Sequence, residues 1–238
     1  MIINNINDMM NIIPKTKSML YCTCTSLHYP FYLNRVNVWL EQIKKLNIDS
    51  DLFVFNDGKC LGNNELYNNE NIIFIEFEKA LGRKSIWVFP GWIRSFYYAL
   101  LLSTKYQYFS HIENDVLIKH VEVFCNNYKR NNIVAFPYNY QYKFPESSLM
   151  IINDVSVREQ PFHKFSPDTW NLNVKFENRL ESCINSYVNL GESYRHEGSY
   201  VCKDPVIECQ CSYEYILQNI SKSSNNKVDI IIIACILP

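Results

Sequence analysis

At 238 residues the chain is long enough for one domain with a substantial core, and 47% apolar against 20% charged residues excludes the disordered and fibrous classes. Its 23 Lys and Arg against 24 Asp and Glu give a formal charge of -1, which removes the electrostatic basis for a broad nucleic-acid surface. Any anionic partner must then be held by a few local groups.

The amino terminus, Met1 to Lys17, mixes Ile and Met with Asn and has no apolar stretch behind a basic start, so no secretory leader is expected. Residues 19–25 are short, apolar and suited to a strand, and a loop follows at 26–30. Val36, Trp39, Leu40, Ile43 and Leu46 then recur at helical spacing, with Asn34 as the expected cap. Residues 51–55 form the next strand, stopped by Asn56-Asp57-Gly58, and 72–77 a third. Asn-rich stretches at 62–71 and 221–226 read as surface loops. This alternation predicts an α/β domain with a largely parallel sheet.

A long apolar and aromatic helix pattern covers 91–106 and carries one cation, Arg94, near its start. It leads into a strand at 108–112 that ends in Glu113-Asn114-Asp115, before Val116, Leu117 and Ile118. Further strands are expected at 133–136, 148–152 and 228–237, and a weaker helix at 174–188. The longest apolar run, Ile230 to Leu237, is far below the roughly 20 residues that cross a bilayer and reads as a buried terminal strand. Nine cysteines, an odd number with no leader, point to a reducing cytoplasm. Cys22 and Cys24 should share one face of the first strand with Thr23 on the other, and packing explains them.

Glu113 and Asp115 are the main chemical candidates. If the chain stays extended, alternation turns both carboxylates to one side, and hard cations such as Mg²⁺ or Mn²⁺ take such oxygen ligands together with water and phosphate. An acidic triplet is otherwise an ordinary polar turn, but this one interrupts an apolar strand. Arg94 is expected either to meet a phosphate or carboxylates of the same site, or to form a structural ion pair. Asp57 sits on a turn at a strand end, where it either accepts bonds from a base or ribose or simply makes the turn. His196, Cys202, Cys209 and Cys211 are disfavoured as a zinc site because one residue alone separates Cys209 from Cys211, and buried thiols are the expected reading.

Taken in order, these pieces resemble a family. A strand ending in Thr25-Ser26, a helix with Arg35 and Trp39, a strand ending in Phe55-Asn56-Asp57-Gly58, and the helix from Arg94 to Leu100 leading to His111-Ile112-Glu113-Asn114-Asp115 resemble the nucleotide-binding half of a GT-A-type glycosyltransferase. The usual Asp-any-Asp motif is here Glu113-Asn114-Asp115, with Glu in the first place. The resemblance implies a single GT-A-like domain over 1–238, α/β with a mixed, mostly parallel sheet flanked by helices. Residues 18–120 would be the nucleotide-sugar-binding half and 121–238 the acceptor-side half. It implies sugar transfer from a nucleotide-diphosphate donor to a hydroxyl of a glycan or lipid-linked acceptor. Mn²⁺ or Mg²⁺ would be held by Glu113 and Asp115, Arg94 would approach phosphate, Asp57 with Thr25 or Ser26 would hold the nucleoside, and Asn114 would face the sugar. The expected location is the cytoplasm, including peripheral contact with the inner face of a membrane.

Downstream, Phe144 to Ser148 and Gly191 to Arg195 resemble acceptor-side segments of small bacterial sugar transferases. An inverting reaction needs a base for the acceptor hydroxyl. Glu146, Asp154, Asp168, Glu192 and Glu197 are candidates, with Glu192 and Glu146 ahead because they lie in those segments. The rivals are a metal-dependent nucleotidyltransferase, disfavoured because Thr25-Ser26-Leu27-His28-Tyr29 lacks a phosphate-loop glycine, and a non-catalytic carbohydrate-binding protein on the same fold.

Overall fold

A computed structural model describes residues 1–25, 30–59, 65–82, 89–118, 120–140, 143–159, 184, 186–197 and 230–234. Ser26, Asp168, Cys202, Cys209, Cys211 and most of the expected helix at 174–188 lie outside these residues, as does the side chain of His196. Among the described residues eleven strands form one sheet, in the order β1 (Ile2–Ile3), β4 (Ile72–Glu76), β3 (Asp51–Asp57), β2 (Ser18–Thr25), β5 (Tyr108–Ile112), β9 (Leu149–Ile152), β7 (Val134–Asn139), β10 (Val188–Glu197), β11 (Ile230–Ala234) and β6 (Val116–Ile118), with β8 (Phe144–Pro145) paired to β7. The pairs from β1 through β5 are parallel, as are β7 with β10 and β10 with β11. Antiparallel β9 joins the two parallel blocks, so β5, β7 and β10 all run the same way. The sheet is mixed and mostly parallel, as expected.

Each face of the sheet has its own core, and the alternation of β2 assigns the faces. Met19 and Tyr21 join one cluster with Phe53, Phe55, Phe96 and Phe109, while Leu20, Cys22 and Cys24 join the other with Val54, Phe74 and Ile112. The two cysteines do share a face; both are buried, and burial pushes the Cys22 thiol well above its usual range. α3 (Pro90–Ser103) packs on the Tyr21 face through Ile93, Phe96, Ala99 and Leu100. α2 (Pro30–Leu46) covers the cysteine face through Val36, Trp39, Leu40, Ile43 and Leu46. Apart from Ala99, each such side chain contributes roughly 1.5–3 kcal/mol by leaving water. α1 (Ile6–Met10), α4 (Val121–Tyr128) and α5 (Val155–Arg158) complete the two layers.

Three boundaries differ from expectation. α2 opens on Pro30, a turn before Asn34, because a proline fits the first helical turn, where its missing N–H has no partner to lose. β3 runs through Asn56 and Asp57, since ladder pairing continues from Cys24 to Asn56 and Thr25 to Asp57; the chain turns at Gly58, where φ is 118°. Val188, placed in a helix by the sequence pattern, opens β10 opposite Ala135.

The carboxyl end of α3 is closed from outside the helix. Arg158, 2% exposed, donates through Nη1 to the carbonyls of Ser103 (2.7 Å) and Tyr106 (2.8 Å) and through Nη2 to that of Gln107 (3.3 Å). The Ser103 carbonyl ends α3 and those of Tyr106 and Gln107 belong to the segment that leaves it, so the guanidinium closes the exit of the helix, and a cation suits that end of the dipole. Burial lowers the Arg158 pKa from its usual value.

Candidate functional site

Because β2, β3, β4 and β5 are mutually parallel, their carboxyl ends open on one edge of the sheet, where ligands of α/β proteins gather. Thr25 ends β2 beside Asp57 at the end of β3, and Glu113 follows the last residue of β5. That edge therefore collects most of the residues singled out by the sequence.

The acidic triplet is a turn and not a continued strand, which corrects the expectation that alternation aligns its carboxylates. β5 stops at Ile112, the Val116 amide donates to the Glu113 carbonyl at 3.2 Å, and β6 leaves to pair with β11. The two acids then reach in different directions. On the α3 face, the Thr23 hydroxyl lies 2.9 and 2.8 Å from the two Glu113 carboxylate oxygens, and the Trp92 indole N–H of α3 donates to Oε1. His111 Nε2 lies 3.0 Å from the same oxygen, outside hydrogen-bond alignment, with its ring between Tyr21 and Trp92. Asp115 instead approaches α2, where Arg35 Nη1 is 3.7 Å from Oδ2. Glu113 is 13% exposed and Asp115 24%. Asn114, buried, donates from Nδ2 to the Thr23 carbonyl at 2.9 Å.

Asp57 and Arg94 pair with each other. Asp57 is buried, and its carboxylate accepts from the Arg94 Nη2, from the Leu81 amide (3.1 Å) and from the Gly82 amide (2.7 Å). Arg94 Nη2 also donates to the Lys79 carbonyl at 2.8 Å, and its guanidinium lies 4.0 Å from the centre of the Phe77 ring. Burial lowers the Arg94 pKa despite the opposing pull of Asp57. The pair thus ties the end of β3 and the segment after β4 to the second turn of α3, the structural ion pair weighed for Arg94. Gly91 permits it: a Cβ there would meet Asp57 Oδ2 at 2.0 Å. Gly91→Ala is expected to displace the carboxylate and cost about 2 kcal/mol, read as a lowered urea midpoint with an unchanged slope.

The acceptor-side candidates separate by burial. Glu146 is fully buried and accepts from Asn139 Nδ2 at 3.3 Å, so its carboxylate has no open path to an acceptor hydroxyl in this arrangement. Glu192 is half-buried on β10 opposite Tyr138, near the carboxyl end of β7. It stands three strands from β5, roughly 14 Å at the usual strand spacing. Thr23, Trp92 and Arg35 are the site neighbours whose roles the sequence reading missed. For Thr23 a signal existed: it alternates with two cysteines that pack on the opposite face.

The donor set sets terms for a divalent cation. Glu113 already accepts from Thr23 and Trp92, which occupy part of its carboxylate; Asp115, partly exposed at the edge and turned toward α2, fits a Mg²⁺ or Mn²⁺ ion, since such sites often combine one carboxylate with water and substrate phosphate. Among the described residues no three His, Cys, Asp or Glu side chains converge as a metal site, and no helix is long and apolar enough to cross a membrane.

No protein-family model matches the sequence, and no curated protein sequence matches it. Solved structures do resemble it. One is the apo bifunctional glycosyltransferase WbbM, with a TM-score of 0.56 and 12% identity over 94% of this chain and 47% of that one. Another is an active-site mutant of the galactosyltransferase LgtC, with a TM-score of 0.53 and 9% identity over 90% of this chain and 86% of that one. The chain therefore spans about half the length of WbbM and most of LgtC. With the strand order and helix layers above, these likenesses show that the chain has the GT-A glycosyltransferase fold.

Proposed function

We propose that the protein is a glycosyltransferase that moves a sugar from a nucleotide-diphosphate donor to a hydroxyl of a glycan or lipid-linked acceptor. The observation that carries this reading is the acidic turn after β5, which presents Asp115 at the carboxyl-terminal edge of the parallel strands of a GT-A fold. In the reaction the acceptor oxygen bonds to the anomeric carbon and the bond from that carbon to the diphosphate breaks. The electron pair leaves with the diphosphate, and the hydroxyl proton passes to a base or, in a retaining course, to the leaving group.

Asp115 would hold Mn²⁺ or Mg²⁺ together with the diphosphate, and Arg35 steers its carboxylate. A divalent cation bound there would offset charge on the departing diphosphate. By the resemblance Thr25 or Ser26 would hold the nucleoside, and Asn114 keeps the β2 end beside the turn by its bond to Thr23. The Asp57–Arg94 pair braces this wall through its bonds to the segment after β4. In an inverting course Glu192, half-buried on the same edge, is better placed as base than the sealed Glu146. The reading places the enzyme in the cytoplasm, with membrane contact limited to a lipid-linked acceptor.

The test is a screen of donor hydrolysis across the common nucleotide sugars with Mn²⁺ and Mg²⁺. Turnover of one donor, abolished by chelation, is the expected result. No turnover of any donor, with no binding of any nucleoside diphosphate, would remove the reading.

A further inference from the structure

The glutamate in the first position of the acidic triplet has a use that an aspartate could not serve. The Thr23 hydroxyl reaches it from the neighbouring strand and the Trp92 indole from α3, so one carboxylate joins β2, α3 and the end of β5. An aspartate is shorter by one methylene, roughly 1.5 Å, and would leave both donors short of their acceptor. The same turn is fixed along its backbone. The Glu113 amide donates to the Ser148 carbonyl at 2.8 Å, and Asn114 holds the Thr23 carbonyl at 2.9 Å. Thr23 is thus gripped at its hydroxyl by Glu113 and at its carbonyl by Asn114, and Asp115 follows directly.

We infer that Glu113 is a positioning residue, not a cation ligand: with Thr23 and Trp92 it fixes the turn that aims Asp115 at the donor diphosphate. This rests on the proposed transfer reaction for its functional meaning. Its chemistry requires an acceptor oxygen at full side-chain length and does not require a negative charge. Glu113→Gln keeps the length and an acceptor oxygen, whereas Glu113→Asp keeps the charge and loses the reach.

The experiment compares E113Q, E113D, Thr23→Val and Thr23→Ser by calorimetric titration of UDP and GDP with Mn²⁺, and by hydrogen exchange over residues 113–116 without nucleotide. E113D and Thr23→Val are expected to weaken Mn²⁺-linked nucleotide binding about tenfold and to speed exchange of the turn by a similar factor. E113Q loses no more than about threefold in both, and Thr23→Ser restores what Thr23→Val removes. E113Q losing Mn²⁺-linked binding while E113D retains it would make Glu113 a ligand and overturn the inference. Exchange equal in E113Q and E113D would overturn it as well. Absence of nucleotide binding in the unmodified protein would sink the transferase reading, while the exchange comparison still decides whether Glu113 fixes the turn.

Discussion

Asp115→Asn is expected to lower sugar transfer by at least roughly 100-fold, the scale seen when one group that stabilises developing charge is removed from a site. The loss should appear as weakened Mn²⁺-linked binding of nucleoside diphosphate and as a lower kcat. The fold should survive, because the carboxylate is about a quarter exposed and its ion pair with Arg35, at 3.7 Å, is of the kind worth at most about 1 kcal/mol. A thermal midpoint within about 2 °C of the unmodified protein, together with the lost binding, separates function from stability. Full transfer activity in this variant would show that the acidic turn takes no part in donor binding.

Arg158→Ala has the largest expected effect on stability. It removes a buried guanidinium and three bonds to the carbonyls of Ser103, Tyr106 and Gln107, which no water can readily replace at 2% exposure. Hydrogen bonds from a charged donor contribute about 1.5–3 kcal/mol, so a loss of about 3 kcal/mol is expected even if partial relaxation recovers some of them. For a chain of 238 residues that corresponds to a fall in Tm of roughly 6–12 °C by calorimetry. Arg158→Lys should fall between, because one ammonium cannot span three carbonyls. An unchanged Tm for Arg158→Ala would mean that α3 ends without help from α5.

Local pattern made much of this molecule readable. The Met19–Thr25 alternation gave the two faces of β2, and the helical spacing from Val36 to Leu46 gave the buried side of α2. What escaped depends on distant partners. Whether the chain after Ile112 continues or turns is decided by β6 pairing with β11, more than a hundred residues on, and apolar flanks look alike in either case. The Arg94–Asp57 pair joins residues 37 apart, so the sequence offers Arg94 a phosphate, a carboxylate, solvent or an ion pair, and Asp57 a ligand or a turn, without naming either as the other's partner. Trp92 lies one turn-length of helix before the aromatic run and carries no signal that its indole meets an acid in the turn after β5. Glu146 stood out by its neighbours in sequence, which say nothing of its burial beside Asn139.

Anomalous diffraction at the manganese edge, from crystals soaked with Mn²⁺ and the nucleoside diphosphate that binds best, tests the donor site most directly. The account predicts one peak at roughly 2.0–2.4 Å from an Asp115 carboxylate oxygen, with the diphosphate on its far side and Glu113 still bonded to Thr23 and Trp92. A peak bridging Glu113 and Asp115, or a nucleotide bound away from the carboxyl ends of β2, β3 and β5, would contradict it.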